Sequence, residues 1–333
     1  MTDKMKEKYL QLYEVMQKIG AFEPWDDFSE DDRFAFIWKD KSKSVMFSFL
    51  SETTGAYGIA CYENEKDYME ARKYAKRDKP EPKRYLQTGY IALWDDRDTL
   101  QKESYDTIKA LGFHFRGKGA WLHVERYEIG YYPKQLTEKE IDFLLEAFGN
   151  LFMMVAAIYE QGLNPEFDKR KTLLRWYDSS VDLFYTHPFK VDIPIDIAVH
   201  PKVFPQISSS ALKLKSMPRL DYSMELDISY LSMTIFHEGQ ETIPLLVLGV
   251  EKSKGIIMLN ETVHPSADKI NVLINCIGNT IKRYGKMSEI FVCDDDVKNI
   301  ISDFCSKIGI KVTKTKKMSN LKKARNQLIS VLK

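Results

Sequence analysis

The chain has 333 residues, 44% of them hydrophobic and 29% charged, with a formal net charge of +1. A single core usually stops growing near about 250 residues, so two domains are expected. The composition is that of a globular protein, and the near-zero net charge excludes any global pull toward nucleic acid or a membrane surface.

Lys4–Ile19 carries apolar residues at Met5, Tyr9, Leu12, Tyr13, Met16 and Ile19, a helical spacing that stops at Gly20. This charged, periodic N-terminus has no apolar h-region, so no signal peptide is expected. An acidic, aromatic connector leads to three alternating segments, Phe34–Trp38, Ser44–Leu50 and Gly55–Tyr62, the last two joined by the turn SETTG. Glu63–Lys76 reads as a helix, giving a β-β-β-α unit. The run RDKPEPKR (77–84) is a charged, proline-containing linker. Tyr90–Trp94 is a strand, Thr99–Leu111 a helix ended by Gly112, and Trp121–Tyr131 a strand. Thr137 and Glu140 form a capping box that opens a helix to about Gln161. Its core is apolar nearly all round, which predicts burial, and its longest apolar stretch, Leu151–Tyr159, is far short of a membrane span. Residues 1–162 therefore read as one aromatic-rich α+β domain, with Trp25, Tyr57, Tyr131 and Tyr132 as candidates for exposed, ligand-binding aromatics.

Prolines at 165, 188, 194, 201, 205 and 218 interrupt short β-like runs such as Val181–Tyr185 and Ile193–Val199. Residues 163–220 are thus expected to form a connecting region with short strands, ending in the loop QISSSALKLKSMPR. From Asp221 the pattern regularises. Strands are expected at Met224–Phe236, Ile243–Val250 and Gly255–Asn260, a helix at Ser266–Tyr284, and a strand at Glu289–Cys293. A helix at Val297–Ile308, a strand at Lys311–Thr315 and an amphipathic helix at Ser319–Leu332 complete the order β-β-β-α-β-α-β-α.

That order, with Met224-Glu-Leu-Asp-Ile228, the hairpin Leu245–Ile257 (LLVLGVEKSKGII), Arg283–Asp295 (RYGKMSEIFVCDD) and Ile308–Thr315 (IGIKVTKT), resembles the RNase H-like core of retroviral-type integrases and transposases. The resemblance covers the last third of the chain. It implies a C-terminal RNase H-like domain over 221–333 beside an N-terminal antiparallel sheet-and-helix domain. In active members of that family three acids hold two divalent metals for phosphoryl transfer. The resemblance makes Asp227 the first ligand and Asp294 or Asp295 the second, with Mg or Mn as cofactor if the domain is active. The third acid belongs on the last helix, but no Asp or Glu follows Asp303, and Asn320, Asn326 and Gln327 are the only amides there. The whole two-domain arrangement also resembles bacterial proteins of unknown function.

The acids Asp294, Asp295 and Asp296 have a second use, since carboxylates cap helix N-termini and interact well with the dipole. Phe304–Lys333 contains nine Lys and Arg and no acid. Lys314, Lys316, Lys317, Lys322, Lys323 and Arg325 are therefore candidates to line a phosphate backbone, or else an acidic protein surface or plain solvent. Six histidines show no HxH or HExxH spacing. Four scattered cysteines without a CxxC pair exclude a disulfide framework or zinc knuckle. The expectation is a cytoplasmic, non-catalytic binding protein without cofactor, metal or membrane partner, which binds nucleic acid through the basic C-terminal helix. The alternatives are a metal-dependent nuclease or strand-transfer enzyme using Asp227, Asp294 and Asp295, and a protein–protein interaction module.

Overall fold

The structure, a computed structural model, describes residues 2–51, 57–77, 79, 81–190, 209–237 and 239–332. Two compact units divide it: Met1–Asp78, Lys83–Ile129 and Pro133–Ile195 form the first, and Lys79–Pro82, Gly130–Tyr132 and Asp196–Lys333 the second.

The first unit contains α1 (Asp3–Gly20), a single turn α2 (Pro24–Asp27), β1 (Arg33–Ile37), β2 (Ser44–Leu50), β3 (Tyr57–Tyr62), α3 (Glu65–Ala75), β4 (Gly89–Asp95), α4 (Lys102–Leu111), β5 (Trp121–Tyr127), α5 (Glu138–Tyr159), β6 (Thr172–Asp178) and β7 (Leu183–Phe189). Its seven strands run in the order β5-β4-β3-β2-β1-β6-β7. Successive side chains alternate, so the central strands supply apolar side chains to both faces of the sheet. Phe34, Phe36, Phe47 and Phe49 point into the larger core with α1 and α5. Ala35, Met46, Leu50 and Ile91 point to the opposite face, where α3 supplies Tyr68 and Ala71. The capping box of α5 is present, with the Glu140 amide donating to Thr137 Oγ1 at 3.4 Å and the Thr137 amide to Glu140 Oε2 at 2.7 Å. By length and apolarity α5 is long enough to cross a membrane; here its buried stripe, including Leu144, Phe148 and Leu151, packs in the core.

Three expectations need correction. Residues 163–190 are not a connector: β6 and β7 extend the first sheet, β6 pairing with β1. That pairing is parallel, so the sheet is mixed rather than antiparallel. The strand from Trp121 ends at Tyr127, because Gly130–Tyr132 leaves to join the second unit. The expected turn SETTG and the run Ile193–Val199 fall largely or wholly outside the described residues.

The second unit contains α6 (Ser209–Ser216), β8 (Ser223–Tyr230), β9 (Ile235–His237), β10 (Gln240–Thr242), β11 (Leu245–Glu251), β12 (Ile257–Val263), α7 (Lys269–Tyr284), β13 (Glu289–Val292), α8 (Asp295–Ile308), β14 (Lys311–Lys314) and α9 (Ser319–Leu332). Helix α6 occupies part of the stretch expected to be a loop. The main sheet has the order β12-β11-β8-β13-β14, with β8, β11 and β12 antiparallel, and β13 parallel to both β8 and β14. The expected strand Met224–Phe236 is broken: β8 stops at Tyr230, and β9 pairs with β10 in a separate ribbon. Register explains which residues share a face. Leu246, Leu248 and Val250 of β11 lie opposite Ser229, Asp227 and Glu225 of β8. Helix α9 covers that face with Leu321 and Ala324, packed on Leu246, Leu248 and Val250.

Two short segments from earlier in the chain complete this unit. The Glu81 carboxylate accepts the Tyr230 amide at 2.9 Å, and Tyr131 bridges to Thr242 while the Ile243 amide donates to the Gly130 carbonyl at 2.8 Å. Gly130 has φ +82°, and a Cβ there would lie 2.3 Å from Pro265 Cβ. Left-handed backbone and a steric clash combine, so Gly130→Ala is expected to destabilise the second unit by on the order of 2–4 kcal/mol. A urea midpoint unchanged by this substitution, read by circular dichroism, would refute that placement of the segment.

Candidate functional site

The first two acids implied by the resemblance do converge. Asp227 lies midway along β8, on the face covered by α9, and is only 2% exposed. Asp294 is the N-cap of α8, and its Oδ1 accepts the Asp296 amide at 2.9 Å. A strand end followed directly by a helix start places its carboxylate beside the neighbouring strand, since β13 runs parallel to β8. Their common point is filled by an ammonium: Lys79 Nζ stands 2.8 Å from Asp227 Oδ1 and 3.2 Å from Asp294 Oδ2. The other oxygen of Asp227 accepts a charge-assisted hydrogen bond from the Arg325 guanidinium. Lys79 Nζ also donates to the Ile228 carbonyl at 3.2 Å. Among the described residues two carboxylates and two cations thus form a buried set.

Asp295 and other acids and thiols of this unit are engaged elsewhere. Asp295 pairs with Lys314 at the surface rather than with Asp227. Glu225 Oε2 accepts the Leu321 amide at 2.8 Å and so caps the first turn of α9. Glu251 folds back on Ser253 and Lys254 in its own turn, and Glu261 accepts from the Cys276 thiol at 3.0 Å. Burial first, then Glu261, pushes that thiol up to about 12. Cys293 lies partly buried against the α9 cluster, and burial likewise raises its thiol.

The divalent cation that the resemblance implies does not fit this set of side chains. A hard cation needs several anionic or neutral oxygens turned toward it, whereas both oxygens of Asp227 already face fixed positive charges. Among the described residues no third acid joins Asp227 and Asp294. Among the described residues no group of three or more His, Cys, Asp and Glu side chains is placed to hold a metal.

The basic C-terminal residues separate into two groups. Arg325 is 6% exposed and committed to Asp227, so it is removed from the set of candidate phosphate contacts. Its burial follows from its place on the apolar stripe of α9, four residues after Leu321 and three before Leu328. Lys314 is held by Asp295. Lys316, Lys317, Lys322 and Lys323 are exposed. Of the aromatic candidates, Trp25 stacks on Tyr57 with centroids 5.5 Å apart, and Tyr131 meets His264 edge-on at 5.8 Å; none of the four is fully exposed.

A second charged cluster lies in the first unit. His123 on β5 is 2% exposed, with Nδ1 3.4 Å from Glu125 Oε1 and Nε2 3.8 Å from Asp95 Oδ2. Arg84 pairs with Asp95 at 2.7 Å, and Ser104 donates to Glu125. Its seclusion makes it structural.

A family model described as a domain of unknown function (DUF7309) matches residues 9–175, and another domain of unknown function (DUF6930) matches residues 211–329. No curated protein matches the chain. Among solved structures, the HTLV-2 integrase catalytic core domain in complex with magnesium is 15% identical with a TM-score of 0.26, over 34% of this chain and 68% of that one. The catalytic core domain of BIV integrase is 15% identical with a TM-score of 0.24, over 32% of this chain and 64% of that one. The simian T-cell lymphotropic virus intasome in complex with PP2A regulatory subunit B56 gamma is 14% identical with a TM-score of 0.26, over 37% of this chain and 43% of that one.

Proposed function

We propose that this chain, which belongs to the DUF7309 family, carries in its C-terminal part a non-catalytic RNase H-like module that binds nucleic acid. The observation that supports the non-catalytic reading is the pairing of Asp227 with Arg325 and Lys79, which places built-in cations where active relatives of the fold require metal. The sheet order, with a three-stranded antiparallel meander followed by two parallel strands, supports the RNase H-like reading. The exposed lysines 316, 317, 322 and 323 support a polyanionic ligand.

Fluorescence anisotropy with single-stranded DNA and RNA across a salt series tests this. Four neutralised phosphates give a slope of log K against log salt of about −3, and changing the four lysines to Gln removes it. No binding at the lowest salt rejects nucleic acid and favours a protein partner instead. Incubation with Mn²⁺ or Mg²⁺ is expected to leave the strands intact; cleavage abolished by Asp227→Asn would overturn the non-catalytic reading.

A further inference from the structure

The first unit contains a cavity that the nucleic-acid reading leaves unused. Helix α3 has 11 residues and covers only part of one face of a seven-stranded sheet. Toward its C-terminal end a space of about 280 Å³ remains between the helix, the sheet and the segment 83–87. Its floor is apolar, made by Leu50, Ile91 and Leu93 of the sheet and by Ala71 and Ala75 of the helix. Small alanines on the helix are what leave the space open.

The charged side chains that line it are Arg72, Lys76, Lys83 and Arg84 against the single carboxylate Glu30. Two carboxylates just outside offset part of this charge. Asp31 takes Arg72 at 3.0 Å and Lys76 at 3.1 Å, and Asp95 takes Arg84 at 2.7 Å. Among the described residues Lys83 is the lining cation that no carboxylate pairs: its ammonium donates to the Ala75 carbonyl at the end of α3, at 2.8 Å. Gln87 and Tyr62, joined at 3.0 Å, add fixed polar groups to the wall. An apolar floor with a few fixed polar groups is the usual form of a small-molecule site, and the cations around this one suit an anion.

We propose that this cavity binds a small organic anion, an apolar ring or chain carrying one phosphate or carboxylate. The apolar body lies on Leu50, Ile91 and Leu93, and the anionic head meets Lys83, with Lys76 and Arg72 beside it.

Isothermal titration of the full chain at low salt with phenyl phosphate and with benzoate tests this, with benzyl alcohol as the neutral control. Saturable one-to-one binding of either anion is expected, and the stronger arm separates a phosphate head from a carboxylate. Benzyl alcohol should bind at least tenfold more weakly. Ala75→Phe fills the cavity and should abolish binding. Lys83→Gln, at an exposed side chain, should weaken it at least fivefold, and it serves if Ala75→Phe does not fold by circular dichroism. The proposal is overturned if neither anion saturates, if the alcohol binds as tightly, or if Lys83→Gln leaves the affinity unchanged.

Discussion

Asp227→Ala is expected to lower the stability of the second unit by about 3–5 kcal/mol, the range for removing one member of a buried ion pair. The cost comes from what stays behind. Arg325 and Lys79, with side-chain exposures of 8% and 10%, lose a shared counter-ion, and water reaches neither well enough to replace it. Arg325→Met is expected to cost less, since Lys79 still balances Asp227 and Met fills the apolar stripe of α9. The double variant Asp227→Leu/Arg325→Met should recover much of the loss, because well-packed apolar groups replace buried pairs at little cost, and the shortfall from additivity measures the coupling. All five tryptophans (Trp25, Trp38, Trp94, Trp121, Trp176) lie in the first unit. The second unit therefore needs hydrogen exchange at α9 amides rather than tryptophan fluorescence. A loss below about 1 kcal/mol for Asp227→Ala, the scale of an exposed pair, would show that the set is not closed to solvent.

The second large effect is expected at His123. Burial disfavours its imidazolium, but Asp95 and Glu125 outweigh that and raise its pKa above the ordinary value. Burial also opposes ionisation of Glu125 and Asp95, yet His123 and the neighbouring donors hold both below the usual carboxylate range. The signs are opposite. The raised histidine contributes stability that is complete below about pH 6.5 and fades as pH rises through its folded value. The lowered carboxylates contribute stability that is complete above about pH 4.3 and fades on acidification. Stability of the first unit should therefore peak between those limits. His123→Leu leaves two buried carboxylates with Arg84 as their nearest cation, and should cost about 3 kcal/mol at pH 6. It should also flatten the alkaline limb of the profile, which an ordinary packing defect would not do. Urea unfolding followed by tryptophan fluorescence from pH 4 to pH 9 reads both quantities, and an alkaline limb unchanged in the variant would assign the pH dependence to other groups.

How much of this was legible in the sequence differs between the units. Period-two and 3.6-residue patterns located nearly every strand and helix of 221–333, because each buries one or two faces in the main sheet. Asp227 and Asp294 were legible as a pair through the family likeness. Arg325 was misread as a surface cation, although its position on the stripe Leu321, Ala324 and Leu328 carried the signal of burial. Lys79 had no such signal: within RDKPEPKR it looks like any linker lysine, and only folding places it between two acids far along the chain. The same holds for β6 and β7. Pro188 and the exposed alternation of β7 suit an edge strand, and local pattern does not say which sheet such a strand and its neighbour join.

The ion set also fixes an order of events during synthesis. Lys79 precedes Asp294 by 215 residues. At translation rates of 5–20 residues per second, that separation corresponds to roughly 10–40 s on the ribosome. Until Asp227 emerges, 148 residues after Lys79, the nascent chain presents Lys79 without either acid it will neutralise, and until Asp294 follows it has only one of the two. The β8–β11–β12 meander likewise emerges before β13, α8 and α9 exist to cover it. The second unit can close only after the first has been made in full, so its assembly is late by construction of the chain, whatever the speed of its individual folding steps.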